Sequence, residues 1–476
     1  MFDITKIARF LPTIEKPTYK PPLNKKLLWT GFVLVIYYIL SSQLFGHVYG
    51  VGEGAGRGFQ TFQMLLGSKF GTLMTLGIGP IVTASIFLQL LTGSKIIDWD
   101  MTKPENREKF QAAQKLLAVI FCIVESVAFV ITGAVPPVNN SIPMIAIVVT
   151  QLAVGGFIII LLDEIVSKYG IGSGISLFIA AGVTESIFVR LFTPFSTVGG
   201  LPSSLNQPAG MFWGLIINLL GGNMFDVLAN LLPIISTIVI FLIVIYTQGI
   251  TVDIPLGFSS LRGFGRRWSL NLFYASVIPV ILVSALLANM QMFGSMLAKP
   301  MADNPSLRCG ILGCFRESPQ GVEPYSGLVY YLRAPRNMLF NLITGSVTFK
   351  LILRALIYMS AMIIGCTIFS IFWINTSGMD AESIADQITS TGMQIPGYRR
   401  DPRIIKNVLS RYITPLTVIG GAAIGFLAAF ADFLGAIGSG TGILLTVSII
   451  YNFYEQLKRE RIEEAHPAVR KVLGVD

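Results

Sequence analysis

Apolar and polar positions alternate in long blocks along the 476-residue chain. Ten stretches of about 20 residues are predominantly apolar, and polar or charged connectors separate them. At about 1.5 Å per residue, a helix of that length crosses a hydrocarbon core about 30 Å thick. The pattern predicts spans at 27–45, 71–91, 116–134, 142–162, 171–190, 228–248, 270–293, 351–373, 412–431 and 436–457. The stretch Met211 to Leu220 is too short to cross alone and reads as an interfacial or re-entrant piece. Five spans precede the connection at 191–227 and five follow it, so the second half enters from the opposite side. Two units follow, 1–210 and 211–476. If they are structural repeats they are inverted about an axis in the membrane plane, although the halves share no obvious string.

The second crossing is irregular. Glycines at 50, 52, 54, 56 and 58 give a pliable lead-in. Phe59, Phe62, Met64, Leu65 and Leu66 then form a short, partly amphipathic helix, on the order of 12 Å long, that Gly67 and Gly71 release. Such a piece either moves as a unit or lies fixed on the outer surface. Within the span that follows, Pro80 removes a backbone donor. Ile78 and Val82, four apart, share a face, as do Ile175 and Ile179 in the glycine-rich start of the fifth span. Small-residue helix packing explains these stretches equally well at this level.

Composition changes the picture in one respect: 53% of residues are hydrophobic and 13% charged, against about 25% charged in soluble domains. The formal charge of +9 raises the question of nucleic acid. With the N-terminus inside, however, 25 of the 35 lysines and arginines fall on the cytoplasmic side, as the positive-inside rule requires. Both termini are then cytoplasmic. Residues 1–26 interleave Phe2, Ile4, Ile7, Phe10 and Leu11 with Lys6 and Arg9, which suits an amphipathic helix on the inner leaflet or a solvated tail.

The chemistry is sparse. Both histidines, His47 and His466, lie outside the spans, and no HExxH, Walker A or G-x-S-x-G string occurs. Enzymatic activity is not expected, nor is any cofactor or metal. Glu125 is the one ionisable residue near the middle of a span. An ion-coupled secondary transporter, the rival reading, usually keeps several such groups at that depth. Thr83, Gln89, Asn271, Asn289 and Gln291 are the other polar residues expected to face a neighbouring helix. Thr83 and Asn289 are neutral partners for the Glu125 carboxyl, forming either a seam that opens or a permanent bond. Cys122 and Cys366 read as small core residues, while Cys309 and Cys314 are either a short-loop disulfide or two free thiols. Arg262, Arg266 and Arg267 share a loop with Phe258, Phe264 and Trp268, and Arg399 and Arg400 lie in GYRRDPR. These loops suit phosphate-rich RNA or acidic protein surfaces, or serve orientation alone.

LGIGPIVTA, GIGSGISLF and ADFLGAIGSGTGILL resemble signature segments of the SecY family, the large subunit of the protein translocation channel, with GYRRDPR most similar to archaeal members and their eukaryotic relatives. The resemblance covers essentially the whole chain. It implies an all-α membrane protein with ten helices in two inverted halves of five around a central pore, plus a plug helix. A pore ring would fall at Ile78, Val82, Ile175, Ile179, Ile281 and Leu445, and the plug near 58–67. Thr83, Glu125 and Asn289 would form the polar cluster of a lateral gate between spans 2–3 and 7–8, and the arginine loops would dock ribosomes. Implied partners are a SecE/gamma-type subunit, a beta-type or SecG-type subunit, the ribosome and targeting machinery, signal peptides and nascent chains, and membrane lipids. The implied location is an archaeal cell membrane, or the endoplasmic reticulum if the source is eukaryotic.

Overall fold

The computed structural model describes residues 11–19, 21–52, 63, 66–97, 99, 103–195, 208–258, 265–301, 304–318, 321–335, 338–390, 393–394 and 402–464. The main helices are α1 (Leu23–Ser41), α2 (Gly79–Gly93), α3 (Pro104–Ile131), α4 (Ile142–Tyr169), α5 (Gly174–Phe192), α6 (Met211–Leu220) and α7 (Met224–Gln248). They continue with α8 (Ile278–Leu297), α9 (Phe349–Ser377), α10 (Ala381–Ser390), α11 (Pro402–Phe433) and α12 (Gly440–Glu464). Every predicted span falls on one of these helices. Eight of them, α1, α3, α4, α5, α7, α8, α9 and α11, are long and apolar enough to cross a membrane. Helix α6 is short, as its ten-residue length predicted.

Helix α2 corrects the expected span 71–91. It begins only at Gly79 and has 15 residues, about 22 Å, too few to cross alone. Gly67, Gly71 and Gly77 have φ of +55, +84 and +55°, so the backbone ahead of α2 turns repeatedly and no helix propagates through it. This segment is nonetheless buried: Leu66, Phe70, Met74, Leu76 and Ile78 are each at most 5% exposed. Its backbone polar groups must therefore be satisfied internally. Val48 N–H donates to the Gly71 carbonyl at 3.0 Å and Leu73 N–H to that of Gly46 at 2.7 Å. The Ile78 amide donates to Leu66 at 2.9 Å, and the Tyr37 hydroxyl to the Gly67 carbonyl at 2.7 Å.

Two connectors expected as loops are ordered. Strands β1 (Thr251–Phe258) and β2 (Gly265–Asn271) form an antiparallel hairpin. The expected span 270–293 consequently starts later, at Ile278, and Asn271 ends a strand instead of lying in a span. In 374–411, α10 and the first turns of α11 replace loop, because Pro402 is well placed to open a helix. Strand β7 (Met393–Gln394) pairs with β1, Gly257 opposite Gln394 and Phe258 opposite Met393. Ile254, Leu270, Ile384, Ile388, Ile405 and Leu409 close a small core separate from that of the bundle. Within it the Tyr274 hydroxyl donates to the Met379 carbonyl at 2.8 Å. Burial, with Asp380 nearby, pushes that phenol well above its ordinary pKa.

The long connector after α8 is a four-stranded meander, β3 (Lys299–Met301), β4 (Asn304–Gly310), β5 (Gly313–Ser318) and β6 (Gly321–Ser326). Cys309 and Cys314 face each other across the β4–β5 turn and are disulfide-bonded. Cys122 and Cys366 are free and buried. Phe2, Ile4, Lys6, Ile7, Arg9 and Phe10 of the expected amphipathic helix lie outside the described residues, and residues 11–19 form no helix. Their carbonyls are held by α3 and α4: Lys115 donates to Pro12 at 2.9 Å, Tyr169 to Glu15 at 3.0 Å, and Lys168 to Ile14.

Candidate constriction and polar seam

Ile78, Val82, Ile179, Ile281 and Leu445 are at most 6% exposed and belong to one continuous apolar cluster. Ile175 is partly buried and packs against the same cluster. All six sit at or near the beginnings of helices. Ile78 caps α2 and Val82 lies one turn on. Ile175 and Ile179 occupy the first two turns of α5, Ile281 the first turn of α8, and Leu445 the second turn of α12. Glycines lie at three of these starts, Gly77 and Gly79, Gly172 and Gly174, and Gly438 and Gly440, and α2 packs against α8 and α5 against α12. Branched aliphatic side chains there offer nothing for a passing polar group to bind, and an apolar constriction resists wetting.

The segment ahead of α2 is seated against this cluster. A Cβ on Gly79 would lie 3.5 Å from Leu66 Cδ1. A Cβ on Gly67 would lie 2.9 Å from the Phe178 carbonyl oxygen, and one on Gly182 only 3.1 Å from Gly67 Cα. Glycine on both sides thus permits backbone contact between this segment and α5. Lys69 pairs with Glu185 of α5. Of the plug positions, Leu66 is buried in a turn and neighbouring Gln63 is helical. Phe59, Phe62, Met64 and Leu65 lie outside the described residues, as do Arg262, Arg399 and Arg400. Arg266 and Arg267 lie in β2, where their backbones oppose Leu256 and Pro255.

The structure brings Thr83 of α2, Glu125 of α3 and Asn289 of α8 together. Thr83 Oγ1 donates to Glu125 Oε1 at 2.7 Å, and Asn289 Nδ2 donates to Thr83 Oγ1 at 3.0 Å. All three are at most 7% exposed. Glu125 Oε2 and Asn289 Oδ1 have no hydrogen-bond partner among the described residues. Interhelical bonds of this kind contribute about 0.6 kcal/mol in measured bundles, while each orphaned polar atom costs about 1–3 kcal/mol. The contact between α2–α3 and α8 is therefore weakly held. Gln89 is also buried with its Oε1 unpartnered, whereas Gln291 is only partly buried.

Sequence reading missed two acids. Asp163 and Asp432 lie one residue beyond the expected spans 142–162 and 412–431, and both accept backbone hydrogen bonds from the start of the next helix. The halves do share one short string, IGSG at 171–174 and 437–440, which corrects the reading that they share none and is the signal that would have found both acids.

The SecY family profile matches residues 72–454. The chain is 43% identical to protein translocase subunit SecY of Methanocaldococcus jannaschii over 475 residues, covering 100% of both, and 40% identical to that of Pyrococcus furiosus, covering 99% of this chain and 98% of the relative. Among solved structures, it is similar to a protein conducting channel at 41% identity and TM-score 0.79, covering 98% of this chain and 99% of that one. It also matches Sec61 in the canine ribosome-channel complex from the endoplasmic reticulum at 41% identity and TM-score 0.76, with the same coverage. The solute-transporter alternative finds no support among these relatives. A multi-pass helical membrane protein of this length and likeness belongs to the SecY family of protein translocase subunits.

Proposed function

We propose that the chain is the central subunit of a protein-conducting channel that passes unfolded secretory polypeptides and releases apolar segments sideways into lipid. The observation that carries this reading is the under-satisfied contact of Thr83, Glu125 and Asn289, with six aliphatic side chains in or against the apolar core of the same bundle. A signal sequence, itself an apolar helix, inserts between α2–α3 and α8 and replaces that contact. Residues near 58–67 act as a plug and leave the outer mouth. The chain then threads past Ile78, Val82, Ile175, Ile179, Ile281 and Leu445, which close around it without binding it. The role requires no catalysis.

The remaining assignments follow from this reading. Residues 1–210 and 211–476 act as two inverted halves hinged through 191–227. Both termini face the cytoplasm, where Arg262, Arg266, Arg267, Arg399 and Arg400 dock the ribosome; pairing of β1 with β7 supports a shared platform for the two loops. A SecE/gamma-type helix clamps the halves and a beta-type or SecG-type subunit lies at the periphery. Crosslinking tests the reading. A secretory chain stalled in transit is expected to crosslink to a photoreactive probe at Ile78 or Ile179 and not to one at Phe241, which is exposed on the outside of α7. Equal labelling at all three would contradict it.

A further inference from the structure

The two IGSG strings are built into matching structures. Gly172 and Gly438, second in each string, adopt φ of +71 and +88°, a region open to glycine. The amide of the first residue bonds a threonine of the first long apolar helix in its own half, α1 or α7: Ile171 N–H to Thr30 Oγ1 at 3.1 Å, Ile437 N–H to Thr237 Oγ1 at 3.0 Å. Each threonine hydroxyl in turn donates to the carbonyl four residues earlier, Lys26 and Pro233. The last glycine of each string opens a helix, and the helix before it supplies a carboxylate to the exposed amides. Asp163 accepts from Gly174 and, at 2.9 Å, from Ile175. Asp432 accepts from Gly440 and, at 2.8 Å, from Thr441. A Cβ at Gly174 would lie 2.6 Å from Asp163 Cα, and one at Gly440 would lie 2.4 Å from the Asp432 nitrogen. Only glycine lets the carboxylate-bearing helix approach so closely.

Counted from these glycines, Ile179 and Leu445 each occupy the sixth position of their helices. As fifth and tenth crossings, α5 and α12 run antiparallel, and the contacts between them fix their register. A Cβ on Gly442 would meet Val183 Cγ2 at 3.4 Å, and one on Gly172 would meet Phe453 Cε1 at 2.4 Å. Eleven residues along one chain match eleven back along the other, so Leu445 stands level with Ile179 and Ala180. Two helices entering from opposite ends thus present equivalent residues at one depth.

We infer that Asp163 and Asp432 are positioning residues of the constriction: each caps the helix that presents one of two level ring residues and fixes how far that residue reaches. The inference rests on the ring reading above. Four exposed amides begin every helix, and a carboxylate there satisfies two of them while complementing the helix dipole. With that group removed the first turn frays, Ile175 leaves the helix, and Ile179 or Leu445 loses its fixed height. The test is the resting ion conductance of the assembled complex in planar bilayers. Asp163→Ala and Asp432→Ala are expected to raise leak per channel on the order of tenfold as the constriction wets. Asp163→Asn and Asp432→Asn, whose Oδ1 still accepts, are expected to stay near wild type. Should the alanine variants fail to assemble, Thr30→Val and Thr237→Val remove the bond from Ile171 or Ile437 together with the hydroxyl's own bond to the Lys26 or Pro233 carbonyl, leave the carboxylate caps in place, and are expected to leak by a smaller factor. Ile179→Asn and Leu445→Asn serve as controls. Leaking controls with sealed cap and threonine variants would overturn the inference alone; sealed controls would overturn the ring reading and the inference with it.

Discussion

At the seam, Thr83 and Asn289 leave one oxygen of Glu125 and the carbonyl oxygen of Asn289 unpartnered. At the start of α12, Asp432 receives two backbone amides, the Tyr358 hydroxyl at 2.8 Å and the Thr441 hydroxyl at 2.5 Å. Both sites place one carboxylate among helices. The difference lies in how many donors meet it, and it separates a contact that exchanges partners from one that keeps them. Closely packed backbones reinforce the second kind: the Cβ clashes at Gly440 are with Ala431 and Asp432 backbone atoms, while the one at Gly79 is with a flexible carboxylate.

The contrast is sharpest in glycine replacements. Gly440→Val would drive its Cβ to 1.9 Å from the Ala431 carbonyl carbon; an effect upward of about 4 kcal/mol, seen as loss of monodisperse complex, is expected. Gly79→Ala meets Glu125 Oε2 at 2.8 Å and is expected to leave assembly intact. Next come the caps: Asp432→Ala orphans more donors than Asp163→Ala, and melting should fall by about 3 and about 2 kcal/mol respectively. At the seam, Asn289→Leu removes one weak bond together with one orphaned oxygen, so stability should change by less than about 1 kcal/mol. Its effect belongs in function: weakly hydrophobic signal sequences should open the channel less often, measured as translocated fraction. Smallest of all, the exposed pair of Lys406 and Glu382 at 2.5 Å should contribute less than about 0.5 kcal/mol when Lys406→Ala is measured by melting.

Much of this was legible in the sequence because helices that cross lipid must be apolar and long, and every predicted span overlaps a helix, although those at 71–91 and 270–293 were begun eight residues early. Thr83, Glu125 and Asn289 were legible for the same reason, since polar side chains in apolar spans seek one another. The start of α2 was not. Residues 71–78 are as apolar as a helix, and only the left-handed turns at Gly71 and Gly77 reveal that the backbone folds back on itself. Strand β1 was legible but overlooked: Val252, Ile254, Leu256 and Phe258 alternate with Thr251, Asp253, Pro255 and Gly257, and the arginines that follow drew the reading of a charged loop. Asp163 and Asp432 escaped because they stand eight and five residues before their IGSG strings, unequal spacings that obscure an equivalence plain in space.

Cysteines joined across each contact test the central contrast most directly. In one complex, Thr83→Cys and Asn289→Cys are linked by a short bis-thiol reagent; in another, Thr30→Cys and Ile171→Cys are linked in the same way. Translocation of a secretory precursor into vesicles is then measured before and after linkage. The account predicts that linking the seam stops translocation and cleaving the link restores it, while linking the capped turn leaves it unchanged. Translocation that survives a closed seam would contradict the account.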